Sequence, residues 1–236
     1  MMSLFISVLV LLFGVASGLT REYLFFSDTM SWNNAQRYCQ QNYRDLATVT
    51  NAEENTRLYT SVQSKGNTWI GLYSRNNYWF WSDQTQSDYF PWDSTQPLNY
   101  FQGCAEIEQN GWNVQFCDQP QPFVCYMFLV LVNEKMTWKE AHEYCKVNYT
   151  GLASLAFQSQ VLAAEVESNR SQTDNVWTGL RFLDGKWFWL SQGELWNLRL
   201  PSCPAPPYRC GARNIKTHVW ENRDCNEKLN FLCYHR

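Results

Sequence analysis

The chain has 236 residues, of which 45% are hydrophobic and 17% aromatic, including 12 Trp, so it holds material for more than one core. Charged residues also make up 17% and the formal net charge is −3. Neither half carries the basic stripe of a nucleic-acid binder, which excludes that class of partner.

The chain opens on an apolar run, Leu4 to Val15, followed by the small residues Ala16, Ser17 and Gly18. The run is too short for a comfortable membrane span, so residues 1–18 read as a secretory signal peptide and the mature protein is expected outside the cell. No Lys or Arg precedes the run, which leaves an uncleaved signal anchor as the alternative. Nothing later resembles a membrane span, since the apolar stretch Tyr126 to Val132 is far too short. Asn148-Tyr149-Thr150 and Asn169-Arg170-Ser171 are glycosylation sequons, consistent with a secretory route, although sequons also arise by chance.

From residue 19 the chain says nearly the same thing twice. Trp32, Cys39, Trp69, Cys104, Cys117 and Cys125 are answered, 106 to 108 positions later, by Trp138, Cys145, Trp177, Cys210, Cys225 and Cys233. A period this long marks a duplicated domain rather than a solenoid unit, because about 100 residues can close a core alone. The copies differ in charge: residues 19–125 hold 6 basic and 11 acidic side chains, residues 126–236 hold 13 and 11.

Each copy is predicted to open with an apolar strand, Tyr23 to Phe26 and Phe128 to Val132. A helix follows. Thr137 with Glu140 is a capping box, and Trp138, Ala141 and Cys145 recur at helical spacing. Ser31 caps the first copy's helix, with Trp32, Ala35 and Cys39 on its inner face. Thr50 with Glu53 reads as a second capping box, and Gln158 to Val166 as its uncapped helical counterpart. The matched segments Trp69-Ile70-Gly71-Leu72 and Trp177-Thr178-Gly179-Leu180 are strands. So are Trp79-Phe80-Trp81 and Trp187-Phe188-Trp189, whose tryptophans share one face. Asp184-Gly185 signals a tight turn. Long loops follow, Ser82 to Gly103 and Ser191 to Arg209, and two short strands then carry the last cysteines. No Gly/Ser spacer separates the copies, so the domains should sit close together.

These landmarks resemble the C-type lectin-like domain: a helix Cys, Trp-Ile-Gly-Leu, Trp-x-Trp, a long loop with an internal Pro, then Cys, Trp-Asn, Cys and Cys. The tandem arrangement is similar to the domain strings of macrophage mannose receptor-like proteins. The resemblance implies an α+β fold with two tandem domains, residues 19–127 and 128–236. Each would have two helices, small antiparallel sheets and a long loop, braced by disulfides. It implies the pairs Cys39–Cys125, Cys104–Cys117, Cys145–Cys233 and Cys210–Cys225, a connectivity that sequence alone does not give. Cys203 is left over. It suggests an intermolecular disulfide and a dimer; a capped or buried thiol, or an exchange with Cys210, are the alternatives.

In sugar-binding members of that family the long loop and the following strand hold calcium through Glu-Pro-Asn or Gln-Pro-Asp, a Glu two residues before the third cysteine, and Trp-Asn-Asp. Calcium needs several charged oxygens to replace its hydration shell. Here the first copy reads Gln96-Pro97-Leu98, Gln102 and Trp112-Asn113-Val114. The second reads Leu200-Pro201-Ser202, Tyr208 and Trp220-Glu221-Asn222, of which Glu221 and Asn222 could still hold a cation. Neither copy is therefore expected to bind calcium, and no metal or other cofactor is expected. Candidate ligand contacts are Trp92, Gln96, Asn99, Tyr100, Gln102 and Asn113 in the first copy, on a loop that also carries Tyr89, Phe90 and Phe101. Trp and Tyr suit interfaces and can stack on sugar rings, although Phe90 and Trp92 could equally fill a small loop core. In the second copy Arg209, Arg213 and Lys216 could receive an anionic glycan or an acidic protein patch, or be ordinary solvated surface.

No catalytic motif surrounds His142, His218 or His235. His142 reads as lying on the exposed side of its helix. Glu106 and Glu108 share a strand face with nothing in the sequence to suggest a raised pKa. The expected function is a secreted recognition protein, not an enzyme, whose partner is a glycan or an extracellular protein.

Overall fold

The computed structural model describes residues 19–62, 66–97, 103–190 and 199–236; the signal-peptide reading of residues 1–18 lies outside them. In chain order the elements are β1 (Thr20–Met30), α1 (Trp32–Asn42), β2 (Asp45–Leu46), α2 (Ala52–Val62), β3 (Thr68–Arg75), β4 (Tyr78–Trp81), β5 (Cys104–Glu108), β6 (Gly111–Gln115) and β7 (Gln121–Met136). The second copy continues with α3 (Trp138–Asn148), β8 (Gly151–Leu152), α4 (Gln158–Ser168), β9 (Asn175–Leu183), β10 (Lys186–Trp189), β11 (Cys210–Asn214), β12 (Trp220–Arg223) and β13 (Leu229–His235). The fold is α+β with two tandem, disulfide-braced domains. Among the described residues no helix is long and apolar enough to cross a membrane.

The helices form where capping and apolar spacing coincide. Thr137 accepts from the Glu140 backbone N–H while the Glu140 carboxylate accepts from Thr137 N at 2.9 Å, a complete capping box. Ser31 occupies the matching position but makes no side-chain cap bond. The second helix of copy one starts one residue later than the sequence suggests. Asn51, not Thr50, supplies the cap to Glu54 N, at 2.9 Å, and Glu54 rather than Glu53 reaches back to Thr50 N, at 2.7 Å. Thr50 and Glu53 have the right spacing, but so do Asn51 and Glu54, and Glu54 is the residue that is buried and paired with Arg21. His142 is not on the exposed side of α3; it is half-buried and stacks on Trp138, with centroids 5.5 Å apart.

All four disulfides join the cysteines that the family resemblance pairs, with Cα atoms 5.1–5.4 Å apart. Two tie each first helix to a later strand across 86 and 88 residues, and two brace the ends of the long loops. Loop entropy makes each long closure worth up to about 4–5 kcal/mol.

The largest departure from the sequence reading is at the junction. The expected opening strand of copy two, Phe128 to Val132, is no separate strand. The last strand of copy one runs straight on as the first of copy two, and β7 is the result. Its first part pairs antiparallel with β1, from Phe26↔Phe123 to Thr20↔Leu129, and its second part with β13, from His235↔Phe128 to Leu229↔Met136. The sheet order β12-β11-β9-β13-β7-β3-β5-β6 therefore crosses both domains without a break. Alternation along the shared strands divides their side chains. Tyr23, Phe25, Val124, Tyr126 and Phe128 belong to the core of copy one, while Leu24, Met127, Leu129 and Leu131 belong to that of copy two.

Candidate functional site

In copy one the candidate loop is fastened to β6. Trp92 forms a bridge with Trp112, Trp112 N donates to Pro91 O at 3.1 Å, and Asp93 N donates to Trp112 O at 2.9 Å. Gly111 permits this: its φ is +144° and a Cβ there would lie 2.7 Å from Asp93 N. Trp92 is half-buried against Trp79, with centroids 4.7 Å apart, and meets the edge of Trp112 at 6.2 Å; Phe90 and Tyr89 complete the cluster. Trp92 is thus a packed residue of the loop base. The peptide before Pro97 is cis. Asn99, Tyr100 and Gln102, with Phe101, lie outside the described residues.

Asn113 is directly opposite Glu106 in the β5–β6 ladder, so the two share a face, and Trp112 with its loop contacts lies on the other. That face holds a buried carboxylate cluster. Asn67 Nδ2 donates to Glu106 Oε1 and to Glu108 Oε1, both at 2.7 Å, and Gln121 Nε2 donates to Glu106 Oε2 at 2.8 Å. Burial, and then the neighbouring Glu108 carboxylate, push Glu106 up to about 7. No sequence pattern signals such a shift, because the burial that causes it comes from the fold; Glu106 is 2% exposed.

In copy two the cations are distributed among internal partners. Arg213 is buried, pairs with Glu165 at 2.8 Å and lies over the Trp220 ring. Lys216 pairs with Asp174 at 2.8 Å on the surface. Arg209 is half-buried over Phe182, and no carboxylate of the described residues pairs with it. Glu221 is engaged as well: it accepts from Asn214 Nδ2 at 2.9 Å and pairs with Arg223 at 3.1 Å, while Asn222 Nδ2 donates to Tyr208 O. The second copy's cis peptide precedes Pro207, not Pro201. Cys203 is exposed and outside any disulfide, which removes the buried-thiol alternative. Both sequon asparagines, Asn148 at the end of α3 and Asn169 just past α4, are exposed. Among the described residues no group of three or more His, Cys, Asp or Glu side chains converges.

The long loops, their brace disulfides and the inward-facing tryptophan pairs place this chain among known proteins. The family model for the lectin C-type domain matches it twice, over residues 28–127 and 134–235. It is 25% identical to the secretory phospholipase A2 receptor of Bos taurus over 90% of its own length, and 25% identical to lymphocyte antigen 75 of Homo sapiens over 86%. It spans 17% and 14% of those two proteins. A 114-residue stretch is 38% identical to asialoglycoprotein receptor 2 of Mus musculus, covering 44% of this chain and 37% of that one. Among solved structures, the carbohydrate-recognition domain of the mouse scavenger receptor C-type lectin is 26% identical, with a TM-score of 0.43, over 46% of this chain and 89% of that one. This chain belongs to the C-type lectin domain family, as two tandem domains of it.

Proposed function

We propose that the chain is an extracellular recognition protein that binds a glycan or a protein surface without calcium. The observation that carries this reading is what became of the carboxylates near the loops. The loop ligand set is neutral at Gln96 and Asn113, and the acidic side chains closest along the same strands are already committed: Glu106 and Glu108 to Asn67 and Gln121, Glu221 to Asn214 and Arg223. Calcium would have to displace those partners to gain any charged oxygen, and the ligand positions Gln96 and Asn113 supply none, so the residues present do not fit the metal. No catalytic role is assigned to any side chain. The contacts to ligand are assigned to the loop of copy one around Trp92, Gln96, Asn99, Tyr100 and Gln102, and in copy two to Arg209, with Arg213 and Lys216 as its paired neighbours. Secretion, removal of residues 1–18, glycosylation at Asn148 and Asn169, and a covalent dimer through Cys203 complete the reading.

A glycan array run with millimolar calcium and again with chelator tests it. Signals that are equal in both arms support metal-free sugar binding. No signal in either arm favours a protein ligand, to be sought by pull-down from extracellular material. A signal lost with chelator overturns the proposal. Thermal melts with and without calcium should coincide, because a ligand that binds only the native state must raise Tm. Non-reducing gels of secreted material should show a dimer that Cys203→Ser abolishes; monomer alone removes the dimer from the reading.

A further inference from the structure

β1 lies between two cores, and its side chains alternate between them. Arg21 pairs with Glu54 and Tyr23 donates to Thr48 O, both within copy one. Thr20 and Glu22 point the other way, into copy two, where Thr20 Oγ1 donates to Glu167 Oε2 at 2.7 Å. Glu22 is 1% exposed. Its Oε1 accepts from Gln160 Nε2 at 2.6 Å, and Gln160 is itself held at the start of α4 because its Oε1 accepts from Phe157 N. Glu22 Oε2 is buried and receives no hydrogen bond.

The groups around this carboxyl determine which form it takes. From β13, the Tyr234 hydroxyl faces it, but that hydroxyl donates its one proton to Ser154 O, so toward Glu22 it can only accept. From the turn after α1, the Tyr43 phenol approaches, and Arg236 beyond β13 acts on that phenol. On α4, Glu167 is engaged by Thr20, the Leu131 N–H and Arg170. The residue opposite on β7 is Met127, and Arg21 lies on the far face of β1. Among the described residues no cation reaches Glu22. A carboxylate here would be desolvated with one oxygen unserved, whereas a carboxylic acid carries the missing proton itself and can donate it to the Tyr234 oxygen.

We propose that Glu22, as a neutral acid, is a proton-dependent latch that holds the β1 edge of the first domain against α4 and β13 of the second. Burial pushes its pKa up to about 8, in the same direction. Because the native pKa lies above the ordinary 4.5, the closed form binds the proton more tightly than the unfolded chain. The latch is fully engaged below pH 4.5, weakens across the interval above it and is lost as pH rises past about 8.

The test uses the secreted full chain and Glu22→Gln. Glutamine keeps the carbonyl that accepts from Gln160 and supplies a permanent donor toward Tyr234. The wild type should lose roughly 5 °C of Tm between pH 6 and pH 9, and the variant clearly less, given the few degrees that each kcal/mol moves a chain of this size. Glu106 titrates in both proteins and cancels from the difference. Amides of α4 around Gln160 should exchange about tenfold faster at pH 9 than at pH 6 in the wild type, after correction for intrinsic rates, and not in the variant. A carbon-13 titration of the wild-type Glu22 carboxyl gives an answer even if the variant folds poorly. A pKa near 4.5, or equal Tm losses in the two proteins, overturns the latch; neither outcome depends on what the loops bind.

Discussion

At the scale of single residues, the paired tryptophans show what each copy must keep. Trp32 Nε1 donates to Ile70 O at 2.8 Å and Trp138 Nε1 to Thr178 O at 2.9 Å; Trp69 Nε1 donates to Met30 O at 3.0 Å and Trp177 Nε1 to Met136 O at 2.9 Å. Each indole fills the core and also hydrogen-bonds a main-chain carbonyl, so an apolar ring of similar size is not a substitute. Trp32→Phe and Trp138→Phe should each cost about 2–4 kcal/mol, combining lost packing with a lost hydrogen bond; a denaturant midpoint within error of wild type would refute this. Glu106 gives a second residue-level prediction. Its pKa near 7 means that the native state holds a proton the unfolded chain releases near 4.5, so stability falls as pH rises through that window. Glu106→Gln should flatten the decline, with a Tm gain at pH 8 that vanishes at pH 4.5. Both glutamates lie on one face by strand alternation, but the shift comes from burial that only the fold creates, with the Asn67 hydrogen bond from a distant segment opposing it, and no spacing rule reports that.

At the scale of elements, the two copies act as controls for one another. α1 and α3 have the same length and the same inner face, yet only Thr137 makes its cap. Thr137→Ala should cost about 1 kcal/mol and Ser31→Ala a few tenths at most; equal losses in the two variants would contradict the cap geometry. The glycine of each third strand is fixed by close approach. A Cβ on Gly71 would lie 2.7 Å from Ser82 Oγ and 3.0 Å from Leu46 O, and one on Gly179 2.9 Å from Ser154 Oγ and 3.0 Å from Leu152 O. Helix faces, the Trp-x-Trp strands and the Asp184-Gly185 turn were legible because each is a local pattern. Copy one makes the same reversal with Asn76 and Asn77, both at positive φ, which its sequence signals less strongly than Asp-Gly does. The candidate site was legible only in part. Trp92 and Asn113 are placed by strand register, and the commitment of Arg213 to Glu165 and of Lys216 to Asp174 joins residues 48 and 42 positions apart, beyond the reach of motif reading.

At the scale of the whole molecule, the decisive fact is that two copies of a self-sufficient fold do not form two independent bodies. An internal repeat with no spacer suggested proximity, but proximity is compatible with a hinge. β7 is not, because its hydrogen bonds to β1 and β13 meet at Phe128 and Leu129, where each residue pairs on both sides. Bending the chain there would break both ladders, uncover Met127 and Leu129 from the second core, and separate α2 from α4, which pack together across the junction. Unfolding should therefore be one cooperative event, with calorimetric and van't Hoff enthalpies that agree for residues 19–236 as a unit. A fragment ending at residue 127 would lose the partners of Thr20 and Glu22 and leave Leu24 against solvent, so it should melt well below the full chain. Leu129→Pro removes an N–H and forces φ in the middle of the shared strand, and it should destabilise both domains together, by about 3 kcal/mol or more. Two resolved transitions in the wild type, or a Leu129→Pro variant in which one domain melts unchanged, would show that the continuous strand does not couple them.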